Sequence, residues 1–238
     1  MPSLPLRRMV LTAAAGAVLL SSAWIGPSRA AEDAVVIPAP TADLPAADGT
    51  QTAVLAGGCF WGVQGVYQHT KGVLNAVSGY AGGAKETANY SASGTGATGH
   101  AESVQVTYDP KVISYGKLLQ IYFSVVHDPT QLNRQGPDSG TQYRSTIFVQ
   151  NDAQKKIAEA YIAQLNTAKT FKKPIATTVE SGKPFFVGEE YHQDYLTLHP
   201  NQPYIVYNDA PKIEALKKIF ADNYRDKPVL VRDAKATN

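Results

Sequence analysis

The sequence predicts a two-layer α/β or α+β sandwich, and two observations predict it. Short apolar strand patterns take turns with segments of helical period, and at least one connection is long enough to cross over between strands. No internal repeat interrupts this alternation.

The elements read off in order. "QTAVLAGG" (51–58) is a short apolar strand ending in glycines, residues 60–69 follow as a helix, and "VLNAVSGY" (73–80) is a second strand. Residues 80–99 form a long glycine-rich loop, a length that in compact domains goes with function or disorder. "AESVQVTYDP" (101–110) has the clearest strand alternation, with Glu102, Val104, Val106 and Tyr108 on one face and Ser103, Gln105 and Thr107 on the other. Ser114 is placed to cap a helix running to about His127, with Leu118, Leu119, Tyr122, Val125 and Val126 at helical spacing. "STIFVQ" (145–150) is a strand, and Asp152 is expected to cap a helix carrying Ile157, Tyr161 and Leu165. "IATTVESG" (175–182) is another strand. A last helix is expected from about Pro211, with Ile213, Leu216 and Phe220 on one side.

The first thirty residues read as an export signal rather than as fold. Arg7 and Arg8 precede an apolar run over 9–20, and Ser28-Arg29-Ala30 offers small residues where a signal peptidase cuts. The arginine pair suggests a twin-arginine route, with the ordinary secretory route as the alternative. An uncleaved anchor is disfavoured, because Thr12, Ser21 and Ser22 break an apolar run already short for a span. The expected location is therefore outside the cytoplasm, in a bacterial periplasm. Residues 31–49 are Ala/Pro-rich and read as an extended linker.

Removing the first thirty of 238 residues leaves 208, enough for one domain with a substantial core. It also removes three arginines and no acids, so Lys+Arg falls from 22 to 19 against 20 Asp+Glu. A near-neutral mature chain without a basic cluster speaks against nucleic acid or an anionic membrane as partner.

Cys59 is the only cysteine. Exported proteins usually pair their cysteines or lack them, so a single one indicates an intermolecular bridge, a reactive thiol or an inert core residue. Cys59 follows a strand and two glycines and opens a helix, where unpaired N–H groups and the helix dipole favour a thiolate. Gly57 and Gly58 allow a tight turn and close approach of another molecule. Phe60 and Trp61 are either core fillers or the walls of an apolar pocket beside the sulfur. Glu102 continues the apolar stripe of its strand; pointing inward, its carboxyl would keep a proton at neutral pH and act as a general acid. The polar run 127–145, "HDPTQLNRQGPDSGTQYRS", suits a binding loop as well as a solvated one. Cys59 with His192 and Asn208 downstream also suggests a papain-type thiol hydrolase, but Trp61 stands two residues past the cysteine instead of one, and Glu102 would have no task.

"GGCFWG", "GYAGG", "TGHAESVQVTYDP", "HDPTQLNRQGPDSGTQYRS" and "EEYHQDYL", in this order over residues 51–225, resemble the A-type peptide methionine sulfoxide reductases. The resemblance implies an α+β fold, a ferredoxin-like two-layer sandwich with a mixed sheet and flanking helices. It implies a catalytic domain over 50–225 with a C-terminal tail over 226–238. The implied activity is reduction of methionine S-sulfoxide, free or in proteins, by attack of Cys59 with Glu102 protonating the oxygen and Cys59 left as a sulfenic acid. Asp138, Tyr90 and Tyr143 match positions that bind the sulfoxide oxygen or a nearby water, Phe60 and Trp61 match the pocket for the substrate methyl, Gly58 falls on a matching motif position beside it, and His192 matches a family position that reads either as a substrate contact or as a structural histidine.

This chain departs from many family members at "HPNQPYIVYNDAPK" (199–212), where they carry further cysteines that resolve the sulfenic acid. The expected reductant is thus an external thiol, a thioredoxin-like or glutaredoxin-like protein or a small dithiol, with no bound cofactor or metal. A monomer free of the membrane after cleavage is expected. A non-catalytic binder of oxidised methionine and a peroxide-sensing thiol are the rival readings; neither needs Glu102 for turnover.

Overall fold

The structure is a computed structural model that describes residues 33–236. The expected signal peptide over 1–30 lies outside the described residues. In chain order the elements are β1 (Gln51–Ala56), α1 (Phe60–Gln68), β2 (Val73–Ala81), the single turn α2 (Tyr90–Ser93), β3 (Ala101–Tyr108) and α3 (Tyr115–Ile121). There follow a hairpin of β4 (Arg134–Gln135) and β5 (Asp138–Ser139), then β6 (Thr146–Val149), α4 (Asp152–Thr167), β7 (Thr178–Ser181) and β8 (Phe185–Val187). The chain ends with α5 (Tyr195–Leu198), α6 (Ala210–Ile219) and α7 (Val231–Ala236).

Six strands form one sheet in the order β7-β6-β1-β3-β2-β8. β3 pairs antiparallel with both β1 and β2, so β1-α1-β2 is a split crossover with β3 inserted between its parallel strands. β6 closes the other side of β1 antiparallel and β7 adds to β6 in parallel, which makes the sheet mixed. The central order β6-β1-β3-β2 is the ferredoxin-like arrangement expected above.

Strand alternation divides the core. Ala53 and Leu55 of β1 and Val104, Val106 and Tyr108 of β3 join the large cluster under α1, α3 and α4. Val54, Ala56, Ala81, Ala101 and Phe148 make a smaller cluster on the opposite face. Glu102 shares the register of Val104 and Val106, so its side chain belongs to the helix face, opposite Tyr80 of β2.

One expected cap is corrected, and one expected helix start is met. α4 is capped by Asn151, whose extended backbone lets its side chain accept from Gln154 N–H at 2.9 Å; Asp152 is the first helical residue. The helix expected from about Pro211 is α6, which begins at Ala210 with Pro211 in its first turn. A wide turn over Ile205–Asp209 leads into it from a helical start at Pro203. The same widening continues α3 over Tyr122–Val126 and ends at His127. β8 and α2 had no clear pattern in the sequence.

The Ala/Pro-rich segment is extended and docked on the domain. Val35 N–H donates to Ser124 O at 2.9 Å, Gln120 Nε2 to Ile37 O at 2.9 Å, and Tyr161 OH to Pro38 O at 2.6 Å, while Ile37 is buried in the core. The C-terminal residues are likewise held: Val229 N–H reaches Gln68 O, and Val231 N–H reaches the buried Asp194 carboxylate at 2.9 Å. Ile37→Ala is expected to lower the unfolding free energy by about 3 kcal/mol, the ordinary cost of emptying a core site, with activity per folded molecule unchanged. Denaturant unfolding measures it; a loss near zero would mean the segment adds nothing to the fold.

Candidate active site

β1 ends at Ala56, and three residues later α1 begins with Cys59 as its N-cap residue (φ −54°, ψ 125°). The turn between them needs Gly58, at φ +89°, because a Cβ there would fall 2.7 Å from the Gln135 side chain. Gly58 shapes the turn, and its neighbours line the cavity beside Cys59. That cavity, of about 250 Å³, is lined by Cys59, Phe60, Trp61, Tyr90, Glu102, Asp138, Tyr143, Gln202 and Tyr204. Seven of these are the residues singled out in the sequence, brought together from α1, α2, β3, β5 and the turn after it. Gln202 and Tyr204 were missed: the only signal was a polar-aromatic segment, "HPNQPY", in a region notable in the sequence for its lack of cysteine.

The backbone N–H of Phe60 donates to Glu102 Oε2 at 3.0 Å, joining the first turn of α1 to the start of β3. Glu102 is 4% exposed. Burial, reinforced by Asp138 and Asp209, outweighs that hydrogen bond and pushes its carboxyl up to about 8. Glu102 therefore holds a proton at neutral pH, as expected of an inward-facing carboxyl.

The Cys59 thiol does not follow the expectation of a depressed pKa. Burial raises it well above its ordinary value, the neighbouring carboxyls Glu102, Asp209 and Asp138 add to the rise, and the Trp61 N–H opposes it. A helix N-terminus stabilises a thiolate only where the sulfur is not also desolvated among carboxyls. The resting residue is a neutral thiol.

On the remaining wall, Tyr204 OH donates a very short hydrogen bond to Asp138 Oδ2. Burial raises the Asp138 carboxyl, while the Tyr204 hydrogen bond and the Lys212 charge pull it back. Burial also raises Tyr90, Tyr143 and Tyr204, so all three are neutral hydroxyl donors at the cavity. Glu189 fixes the α2 turn that carries Tyr90, accepting from Tyr90 N–H and from Tyr80 OH, both at 2.8 Å.

Trp61 is held from behind. Its indole lies 3.8 Å from the Tyr195 ring at an interplanar angle of 9°, and its Nε1–H donates to His192 Nδ1 at 3.2 Å. His192 is buried outside the cavity and packs against Phe60 and Tyr90 as well. It supports the pocket wall through Trp61, Phe60 and Tyr90, the structural role expected as one of its two readings. Burial lowers its pKa, consistent with a neutral ring accepting through Nδ1.

The arrangement offers one soft nucleophile, one protonated carboxyl, several neutral O–H donors and two aromatic walls. It suits a small substrate with an apolar end and an oxygen that must be protonated to leave. The linkage of Glu102 has a definite sign. Its folded-state pKa lies above its unfolded one, so stability is fully present below the unfolded value and is lost as pH rises toward the folded value. Glu102→Gln is accordingly expected to melt higher than wild type at about pH 8 and equal to it below about pH 4. Thermal melts across this range check it; a gap that does not change with pH would contradict the buried ionisation.

A family model described as peptide methionine sulfoxide reductase matches residues 51–224. A Mesorhizobium japonicum protein named peptide methionine sulfoxide reductase MsrA 2 is 65% identical over 81% of this chain and 98% of its own length. A Synechocystis protein of the same name is 45% identical over 80% of this chain and 91% of its own. Among solved structures, reduced Mxr1 from Saccharomyces cerevisiae is 34% identical with a TM-score of 0.59, covering 69% of this chain and 95% of that one. The methionine sulfoxide reductase A of Corynebacterium diphtheriae is 32% identical with a TM-score of 0.55, covering 72% and 86%. Sequence, fold and the thiol–carboxyl site agree: the chain belongs to the A-type peptide methionine sulfoxide reductases.

Proposed function

We propose that the chain reduces methionine S-sulfoxide, free or within proteins, through a sulfenic acid on Cys59, and that its natural substrates are oxidised proteins outside the cytoplasm. The observation that carries the reading is Glu102, buried, protonated and fixed by the Phe60 N–H at the cavity that holds Cys59.

The substrate methyl lies between Phe60 and Trp61, and the sulfoxide oxygen points to Glu102, Tyr90 and Tyr143. Glu102 gives its proton to the oxygen, which makes the sulfur electrophilic and the oxygen able to leave. The resulting carboxylate takes the proton of the Cys59 thiol, and the sulfur attacks. The S–O bond of the substrate breaks, oxygen passes to Cys59, and methionine departs: Cys–SH and sulfoxide become Cys–SOH and sulfide, one sulfur oxidised by two electrons and the other reduced by two. Glu102 ends the cycle protonated again, so no net charge is stranded in the buried site. This relay suits a resting thiol better than a free thiolate would, because thiol and carboxyl titrate as one coupled pair.

With no second cysteine in the sequence, the sulfenic acid is reduced by an external thiol, a thioredoxin-like or glutaredoxin-like protein or a small dithiol. The basic pair, apolar run and small-residue site at the N-terminus support export to the periplasm by either secretory route.

Without added reductant, the protein is expected to yield about one methionine per Cys59 from the S-sulfoxide, none from the R form, and a trappable sulfenic acid. Glu102→Gln is expected to slow that burst by about 10²-fold or more. Equal yields from both epimers, or methionine formed with Cys59 still reduced, would overturn the reading.

A further inference from the structure

Gln202 lines the cavity but takes no part in the steps above. It stands one residue before the helical start at Pro203, and most of its polar groups are committed there. Its backbone N–H donates to His199 O at 3.0 Å, and its carbonyl accepts from Val206 N–H at 3.0 Å. Its side-chain Oε1 caps the helix by accepting from Ile205 N–H, again at 3.0 Å. A backbone N–H needs an acceptor, so this bond fixes which corner of the amide carries the oxygen. The other corner is Nε2, whose two N–H groups have no hydrogen-bond partner among the described residues. Two residues on, Tyr204 meets Trp61 edge-on at a centroid distance of 5.9 Å and donates to Asp138. The segment thus stands on the Trp61 and Asp138 side of the cavity, while Glu102 is held at the Phe60 N–H.

We propose that Gln202 is a specificity-determining residue that donates from Nε2 to a main-chain carbonyl of the peptide carrying the methionine sulfoxide. The inference deepens the function proposed above and rests on this cavity being where the sulfoxide binds. The donors of the cavity divide by chemistry. Glu102, Tyr90 and Tyr143 serve the sulfoxide oxygen, and the Tyr204 hydroxyl is committed to Asp138. What is left is a primary amide, a neutral N–H donor that matches a peptide carbonyl. The side chain of methionine sulfoxide has no acceptor but its own oxygen, so the next acceptors along the substrate are its main-chain carbonyls. A cavity of about 250 Å³ is small for a ligand site, and a bound side chain leaves its main chain against the wall. The cap also prepares the donor: with Oε1 anchored on the helix, Nε2 has little freedom to lose when a carbonyl arrives. The consequence is a preference for the sulfoxide within a peptide over the same side chain without a main chain.

The test is binding to the unreactive Cys59→Ser protein, followed by NMR titration of the Trp61 indole N–H. One ligand is N-acetyl-methionine S-sulfoxide methylamide. The other is methyl propyl sulfoxide of the same hand at sulfur, which is that side chain without its main chain. The peptide ligand is expected to bind the more tightly. Gln202→Ser keeps a favoured cap for the Ile205 N–H and removes the amide. It is expected to raise Kd for the peptide ligand about fivefold relative to Kd for methyl propyl sulfoxide. If that variant does not fold, Gln202→Glu keeps the length and the capping oxygen, offers no donor when ionised, and is expected to shift the ratio the same way. An unchanged ratio, with both ligands weakened equally or neither, overturns the proposal, as does equal binding of the two ligands when Gln202 is present. A shifted ratio in a protein whose Cys59 reduces no sulfoxide would keep the Gln202 contact while rejecting the reduction.

Discussion

The hydrogen bond from Phe60 N–H to the Glu102 carboxyl is the contact on which the site depends. It links the first turn of α1 to the first residues of β3, two elements whose order in the sheet is set by the split crossover. Because the carboxyl is buried, it keeps a proton into the neutral range and becomes a donor for a leaving oxygen. Because its partner is the residue after Cys59, any shift of the strand relative to the helix would separate the carboxyl from the thiol. The fold's central register and the chemistry are one constraint.

The aromatic side of the cavity is built on the same plan, with supports behind the residues that line it. Trp61 is fixed by a stacked Tyr195 and by the neutral His192, and Tyr90 by the Glu189 carboxylate that holds its backbone. Tyr204 donates to Asp138 on the wall they share. Such double support leaves few side-chain rotations to lose when a methyl sulfoxide enters, so more of the interaction is available for orienting the oxygen.

Much of this was legible in the residues. Period-two alternation put Glu102 on the core face of β3, and a strand–glycine–helix junction put Cys59 at a helix start; both depend on local geometry that a sequence records. Ser114 as a cap was equally readable and does accept from Lys117 N–H. What failed depends on three-dimensional surroundings. The thiol was expected to be acidified by its helix, because three carboxyls from distant segments and the depth of burial leave no trace beside Cys59 in the chain. The wide turn over Ile205–Asp209 that precedes the helix at Pro211 has no sequence signature, and this hid Tyr204 and Asp209. The docked 33–48 segment read as a linker because many of its anchors are backbone groups, which any residue supplies.

The most direct test of the account is a crystal structure of the Cys59→Ser protein with N-acetyl-methionine S-sulfoxide methylamide bound. The account places the sulfoxide oxygen within hydrogen-bonding distance of Glu102, the methyl between Phe60 and Trp61, and the sulfur facing residue 59. An oxygen turned away from Glu102, or a sulfoxide bound outside this cavity, would contradict it.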